Sequence, residues 1–394
     1  MKKGKACFVY YMKFNNAAIL YREAKAVADL GYEVDIVCLR NEPSEPILQE
    51  FEGLNLYRIQ ARPDSERQAV VYFFRLLAFL IKTFFLLSWL GIRKKYRIIH
   101  VTSPPDIMVF TSLVPKLLGA KVILDIHDIG PEFFMRKLGV QESHPSIRLL
   151  KFLERTSARY ADHVITVTDV WKEKLGSRSC DRNKVSVLLN VPDESLFSGD
   201  RTRARDCSGG LNLFYHGSLE EHFGVDTLLM AMPAVLKAMP NIKLHIYGQG
   251  RFREKLDRMC GELELNGKVV IHPHVPFFQL PEILSRDADI GIVPTKGSVF
   301  SEEALSMKSL EYISMGIPIV ISNTQVHKYY FNDSMVTFFQ SDNHEDLANK
   351  IIQLSNSINI QKRQVENSRI FMEKHDWKIG KLSYYCVINK LCNN

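Results

Sequence analysis

Glu303-Ala-Leu-Ser-Met-Lys308-Ser-Leu-Glu311-Tyr312-Ile-Ser-Met-Gly316-Ile-Pro318-Ile-Val-Ile321 is the most informative stretch of this 394-residue chain. A glycine at the end of a helical stretch, then a proline and an apolar run, reads as helix, stop, strand. Glu303 and Glu311 are eight residues apart, which is two helical turns plus about 80°. Both can therefore overlook one end of a cleft without touching. Glu303 is expected at the helix N-terminus, among backbone N–H donors that also suit a phosphate. Carboxylates so placed can hold sugar and ribose hydroxyls, and Lys308 can face a phosphate. Taken alone, the pattern is also that of a solvated, charged helix face.

Outward from this stretch, short apolar runs alternate with longer segments of helical period, the signature of parallel sheets built from strand-helix-strand units. The first half gives strands at 6–10, 33–38, 54–59, 98–102, 122–125, 163–167 and 185–189. The second gives 211–216, 243–247, 269–272, 290–293, 317–321 and 336–339. The expected fold class is α/β, with two doubly wound Rossmann-like lobes joined by a linker at 196–210. That linker holds Gly199, three arginines and Ser208-Gly209-Gly210. Ligands of such sheets bind beyond the carboxyl ends of the strands, so two facing lobes would hold one in the cleft between them.

With 24% charged and 46% hydrophobic residues, the composition excludes disorder, collagen and disulfide scaffolds. The seven cysteines are scattered and form no Cys-x-x-Cys pair, as suits a reduced, cytoplasmic compartment. Met1-Lys2-Lys3-Gly4-Lys5 runs straight into a strand, so a secretory leader is not expected. The net charge of +7 is lopsided: residues 1–190 carry 29 Lys+Arg against 20 Asp+Glu, and the remainder 22 against 24. The basic excess points to an anionic partner for the first half. Without zinc spacings or an RNP-type motif, nucleic acid is not that partner.

An anionic membrane surface is the better match. Residues 69–92 are rich in Phe, Leu and Ile, and the basic run Arg93-Lys94-Lys95-Tyr96-Arg97 follows at once. Arg75 and Lys82, seven apart, lie on one helical face and argue for an amphipathic surface helix over a span. An apolar face with a polybasic flank is how a protein lies on an anionic bilayer. The competing reading is a helix buried in the first lobe's core.

The Glu-x7-Glu pattern followed by Tyr-x-x-x-Gly-x-Pro resembles the signature of the family 4 retaining glycosyltransferases of GT-B fold. The likeness extends in order along most of the chain, through Tyr21–Val34, Leu124-Asp125-Ile126-His127-Asp128, Tyr215-His216-Gly217-Ser218 and Ala288–Pro294. The resemblance implies an acceptor-binding domain at 1–195, a nucleotide-sugar domain at 211–375, and a helix at 376–394 crossing back to the first lobe. It implies that Glu303 grips the donor sugar and Glu311 the ribose. Gly217, Ser218 and Lys308 would face the diphosphate, the loop with His274 and Val275 would hold the base, and His127 would meet the sugar near its reactive carbon.

No metal and no cofactor are implied, and Asp287-Ala-Asp289 reads as helix end and strand start. Ser218 and Phe223 stand where many members carry a basic pair. The expected activity is transfer of a hexose or N-acetylhexosamine from a UDP-linked donor to a lipid-linked saccharide at the inner face of the cell membrane. A capsule, O-antigen or exopolysaccharide pathway would use it. Two alternatives share the motifs: a GT-B nucleotide-sugar epimerase, against which the 69–97 segment argues, and a silent partner subunit, which the missing basic pair favours.

Overall fold

The computed structural model describes residues 3–14, 17–63, 68–194, 196–197 and 210–392. The chain forms two compact units, one of residues 1–190 with 380–394 and the other of residues 191–379. Most of the expected linker, 198–209, lies outside the described residues.

The first unit holds an eight-stranded sheet: β1 Gly4–Lys13, β2 Tyr32–Arg40, β3 Leu48–Phe51, β4 Leu54–Ala61, β5 Ile98–Ser103, β6 Lys121–Ile126, β7 His163–Thr166 and β8 Val185–Val187. Its order is β3-β4-β2-β1-β5-β6-β7-β8. All neighbours run parallel except β3, which pairs antiparallel with β4. Ala6, Cys7, Phe8 and Val9 are all fully buried, as expected for a parallel sheet covered on both faces. The chain runs outward from β1 on one side through β2 and β4, and on the other from β5 to β8. The order therefore reverses between β1 and β5, and ligands of such sheets bind beyond the strand ends at that point.

The second unit repeats the plan with six parallel strands: β9 Asn212–His216, β10 Lys243–Tyr247, β11 Val269–His272, β12 Ile290–Val293, β13 Ile319–Ser322 and β14 Thr337–Phe339. Their order, β11-β10-β9-β12-β13-β14, reverses between β9 and β12. Leu213, Tyr215, Leu244 and Ile246 from the sheet pack with Leu228, Met232 and Val235 of the helix Val225–Ala238.

Every strand expected from the sequence is present, three of them with the expected bounds and the others with ends moved by at most three residues. β3 was not expected, because its four residues are all exposed and show no alternation. The helix in the motif is shorter than the spacing predicts. It spans Met307–Ser314, which leaves Glu303 in a preceding turn. The backbone there is committed elsewhere: Glu303 and Ala304 amides donate to Phe300, and the Glu302 carbonyl and carboxylate accept from Val326 and Gln325. A turn tied down on both sides does not continue into the helix.

Candidate active site

In the second unit, β9 ends at His216 and the chain turns at Gly217, whose φ of +120° favours glycine. A β-carbon on Gly217 would stand 2.5 Å from Cε of Lys308, so the glycine also makes room for that side chain. The helix Met307–Ser314 is fixed over β12 by Tyr312. Its ring lies against Gly291, where a β-carbon would meet it at 2.6 Å, and its hydroxyl donates to the Phe214 carbonyl at 3.0 Å. This seats buried Glu311 with Oε2 3.4 Å from Nε2 of His216.

The charges here are strained by burial. Burial pushes Glu311 up to about 7, against the pull of Lys308. It draws Lys308 down to about 8, against the pull of Glu311. Burial and the Lys308 charge hold His216 down at about 3, so it is a neutral ring. The Lys308 ammonium lies 4.0 Å from the centre of the Phe223 ring and 5.4 Å from that of Tyr215. A cation so desolvated, at a strand end, is suited to a strongly charged ligand.

The structure thus brings Gly217, Lys308 and Glu311 together. Ser218 follows Gly217, and its carbonyl accepts from the Tyr215 hydroxyl at 2.8 Å. Half-buried Glu303 sits in the turn described above. His274 is exposed and Val275 half-buried in the loop leaving β11. That loop is laced to the first by backbone bonds, Gly217 N to Tyr247 O at 2.9 Å and Gly248 N to His272 O at 3.4 Å. In Asp287-Ala-Asp289, Asp287 ends the helix Leu280–Asp287 and pairs with Arg286, and Asp289 accepts from the Asn212 amide.

In the first unit, His127 follows directly on β6. Its Nε2 donates to Oδ2 of buried Asp125 at 2.7 Å. Burial works against the imidazolium, but the Asp125 charge and hydrogen bond outweigh it and lift His127 to about 9. His127 is therefore a cation with one ring nitrogen still available. Two neighbours that the sequence did not single out complete the group: His100, with Nε2 3.3 Å from Asp125 Oδ2, and Glu23, whose Oε2 is 3.6 Å from that nitrogen. Glu23 could have been found as a charge on the apolar stripe of its helix with Leu20, Ala24 and Val27. Glu132 is structural, its carboxylate gripped by both terminal nitrogens of Arg178 at 2.6 and 2.9 Å.

The apolar segment forms one helix, Ala69–Lys94. Phe79, Thr83 and Leu87 face inward and are fully buried. Phe73, Phe74, Leu77, Ile81, Phe85, Trp89 and Ile92 form an exposed stripe, with Phe74 at 62% and Phe85 at 66%. This is the reverse of a core helix. Lys82 donates to Gln60 on β4. The basic flank is smaller than it reads: Lys94 is bound to buried Asp35 at 2.7 Å, while Arg93 and Lys95 are exposed. The Arg93 guanidinium lies 4.1 Å from the Trp89 ring centre.

Residues 17–190 match the glycosyl transferase 4-like domain family, and residues 208–371 match the glycosyl transferases group 1 family. The chain is 27% identical over 312 residues to an uncharacterized glycosyltransferase of Methanocaldococcus jannaschii, covering 76% of this chain and 74% of that one. Over 99 residues it is 32% identical to the GDP-mannose-dependent alpha-(1-6)-phosphatidylinositol monomannoside mannosyltransferase of Mycolicibacterium smegmatis, a quarter of this chain and 26% of that one. Its fold is similar to the crystal structure of Anabaena HepE in complex with UDP, with a TM-score of 0.72 and 13% identity. That match covers 98% of this chain and 100% of the other.

Proposed function

This chain belongs to the family 4 glycosyltransferases of GT-B fold and is a transferase enzyme, and on that premise we propose its substrates. It moves a hexose or N-acetylhexosamine, with retention of configuration, from a UDP-linked donor to a lipid-linked saccharide at the cytoplasmic face of the membrane. The product enters a capsule, O-antigen or exopolysaccharide. HepE, similar in fold, binds UDP. The mannosyltransferase similar over a quarter of the chain uses GDP-mannose, so the donor test includes both nucleotides.

In this reading Lys308 neutralises charge on the departing diphosphate, as a preorganised cation in a dry site does effectively. Glu303 holds the donor sugar and Glu311 the ribose, and the backbone at His274 and Val275 meets the base. The His127 cation faces the sugar near its reactive carbon. The leaving phosphate helps take the acceptor proton, so no protein nucleophile and no metal are assigned.

The observation that carries the lipid acceptor is the outward aromatic stripe of the helix Ala69–Lys94 with Arg93 and Lys95 at its end. An apolar face turned away from its own core and flanked by exposed cations fits an anionic bilayer. Incubation with radiolabelled UDP- and GDP-sugars and a bacterial membrane lipid extract tests the reading. Label entering the lipid phase from a UDP-sugar supports it; label that stays in water, or enters only from GDP-mannose, refutes the acceptor or the donor.

A further inference from the structure

His127 does not stand alone at the end of β6. Behind it Glu23, His100 and Asp125 are buried to within 2% of full coverage, and Tyr384, 1% exposed, joins them from the helix Trp377–Cys392. β5 places His100 beside Phe8 of β1 in the sheet register, and the two rings stack with centroids 4.7 Å apart. The His100 ring therefore has little freedom to turn.

Donor and acceptor accounting then fixes the protons. Nε2 of His100 faces two carboxyl oxygens, Asp125 Oδ2 at 3.3 Å and Glu23 Oε2 at 3.6 Å, so it carries the N–H. Nδ1 meets the Tyr384 hydroxyl at 2.8 Å. In a neutral imidazole protonated on Nε2, Nδ1 is an acceptor, and the tyrosine donates to it. The hydroxyl thereby tethers the ring from its other side and keeps the His100 N–H aimed at Asp125. Asp125 Oδ2 in turn accepts from both imidazoles and is pinned between them. The ligand atoms of Glu23, His100 and Asp125 lie within 4.8 Å of one another, close enough for a metal ion. The nitrogen that would bind the ion is the one that gives its proton to Asp125, so the cluster is a hydrogen-bond relay.

We propose that Tyr384 and His100 are positioning residues for His127, so that the last helix of the chain supplies part of the working site. The inference rests on the reading of His127 as the contact to the donor sugar. Without the Tyr384 hydroxyl, the two carboxyl oxygens still keep the proton on Nε2, but Nδ1 of His100 is a buried acceptor with no donor, the ring is hydrogen-bonded from one side only, and the aim of Asp125 and His127 relaxes.

The test compares Tyr384→Phe, which removes one O–H and keeps the ring, with Ile388→Ala, which opens a cavity in the same buried face of that helix. Nitrogen NMR of histidine-labelled full-length protein reads the protonation and hydrogen bonding of each His100 nitrogen, and the radiolabel assay reads transfer. Tyr384→Phe is expected to move the Nδ1 signal to that of an acceptor nitrogen without a hydrogen bond, with Nε2 still protonated, and to lower kcat by roughly ten- to a hundredfold at unchanged donor KM, the cost of a slightly misplaced group. Ile388→Ala is expected to lower Tm and move neither readout. An unchanged Nδ1 signal in Tyr384→Phe overturns the inference, as does a kcat loss in both variants that follows Tm. A shift of the wild-type His100 signals on adding zinc also overturns it, in favour of a metal centre. A moved Nδ1 signal with undiminished transfer overturns the role of His127 itself. If the wild type transfers no sugar, the functional reading fails, and the Nδ1 signal alone decides whether Tyr384 holds His100.

Discussion

The ammonium of Lys308 lies over the ring of Phe223, 4.0 Å from its centre. Phe223 and Ser218 stand where many glycosyltransferases of this type carry a basic pair, so in the proposed site one lysine is left to face the diphosphate, and an aromatic ring holds it. Cation–π attraction is strongest when the cation is desolvated, and Lys308 is already drawn down to about 8 by burial.

The first prediction concerns protons. A lysine depressed to about 8 loses its charge in the free protein as pH rises through that value, and a bound diphosphate favours the charged form. UDP binding at pH 8.5 is therefore expected to take up protons and to weaken as pH rises further. Calorimetry in two buffers of different ionisation enthalpy checks this. Lys308→Gln should bind weakly with no proton uptake, and an unchanged affinity in that variant would remove Lys308 from the donor site.

Gly217→Ala is expected to impair UDP binding without unfolding the protein. The new methyl meets the Lys308 side chain, whose flexible end can move, while the backbone keeps a φ that alanine resists. A cost of about 1 to 2 kcal/mol in stability accompanies the displaced lysine. Thermal melts with and without UDP separate the two effects.

Arg178 holds two buried carboxylates at once, Glu132 and Glu154. Arg178→Leu leaves both without their main partner and is expected to cost about 3 to 5 kcal/mol of unfolding free energy. Adding Glu132→Gln and Glu154→Gln should recover part of that loss, because the uncompensated charge is then gone. Denaturant titration checks both.

His127 gives the fold a pH dependence of known sign. Its pKa is raised from 6.5 to about 9 in the fold, so its stabilising contribution is complete below about 6.5 and is lost as pH rises towards 9. His127→Ala should flatten the fall in stability across that window, as measured by denaturant midpoints.

Much of this fold can be read from the sequence because parallel strands buried on both faces appear as bare apolar runs. Ala6 to Val9 and Ile290 to Val293 are unmistakable. β3 is not, since four exposed residues at a sheet edge follow no period. The spacing of Glu303 and Glu311 suggested one helix, and only the pairing of Glu302 with Gln325 and Val326 shows why the helix starts later. Lys94 reads as part of a free basic run because its partner Asp35 is 59 residues away. Tyr384 and His100, 284 residues apart, leave no local trace of their pairing.

Variants on the two faces of the helix Ala69–Lys94 separate the proposed membrane affinity from stability. Replacing exposed Phe74, Phe85 and Trp89 by serine should reduce binding to anionic vesicles while Tm stays the same. Phe79→Ala, in the core, should cost about 3 to 5 kcal/mol. Arg93→Gln with Lys95→Gln should weaken vesicle binding by about 2 kcal/mol, roughly thirtyfold. Sedimentation with vesicles reads each, and unchanged sedimentation of the serine variant would contradict the membrane surface.

The most direct measurement is the transfer of radiolabel from a UDP-sugar into extracted membrane lipid by the wild type and by Glu303→Ala, with circular dichroism to confirm that both are folded. The account predicts label in lipid for the wild type and none for the variant. Equal transfer by the two proteins would contradict it.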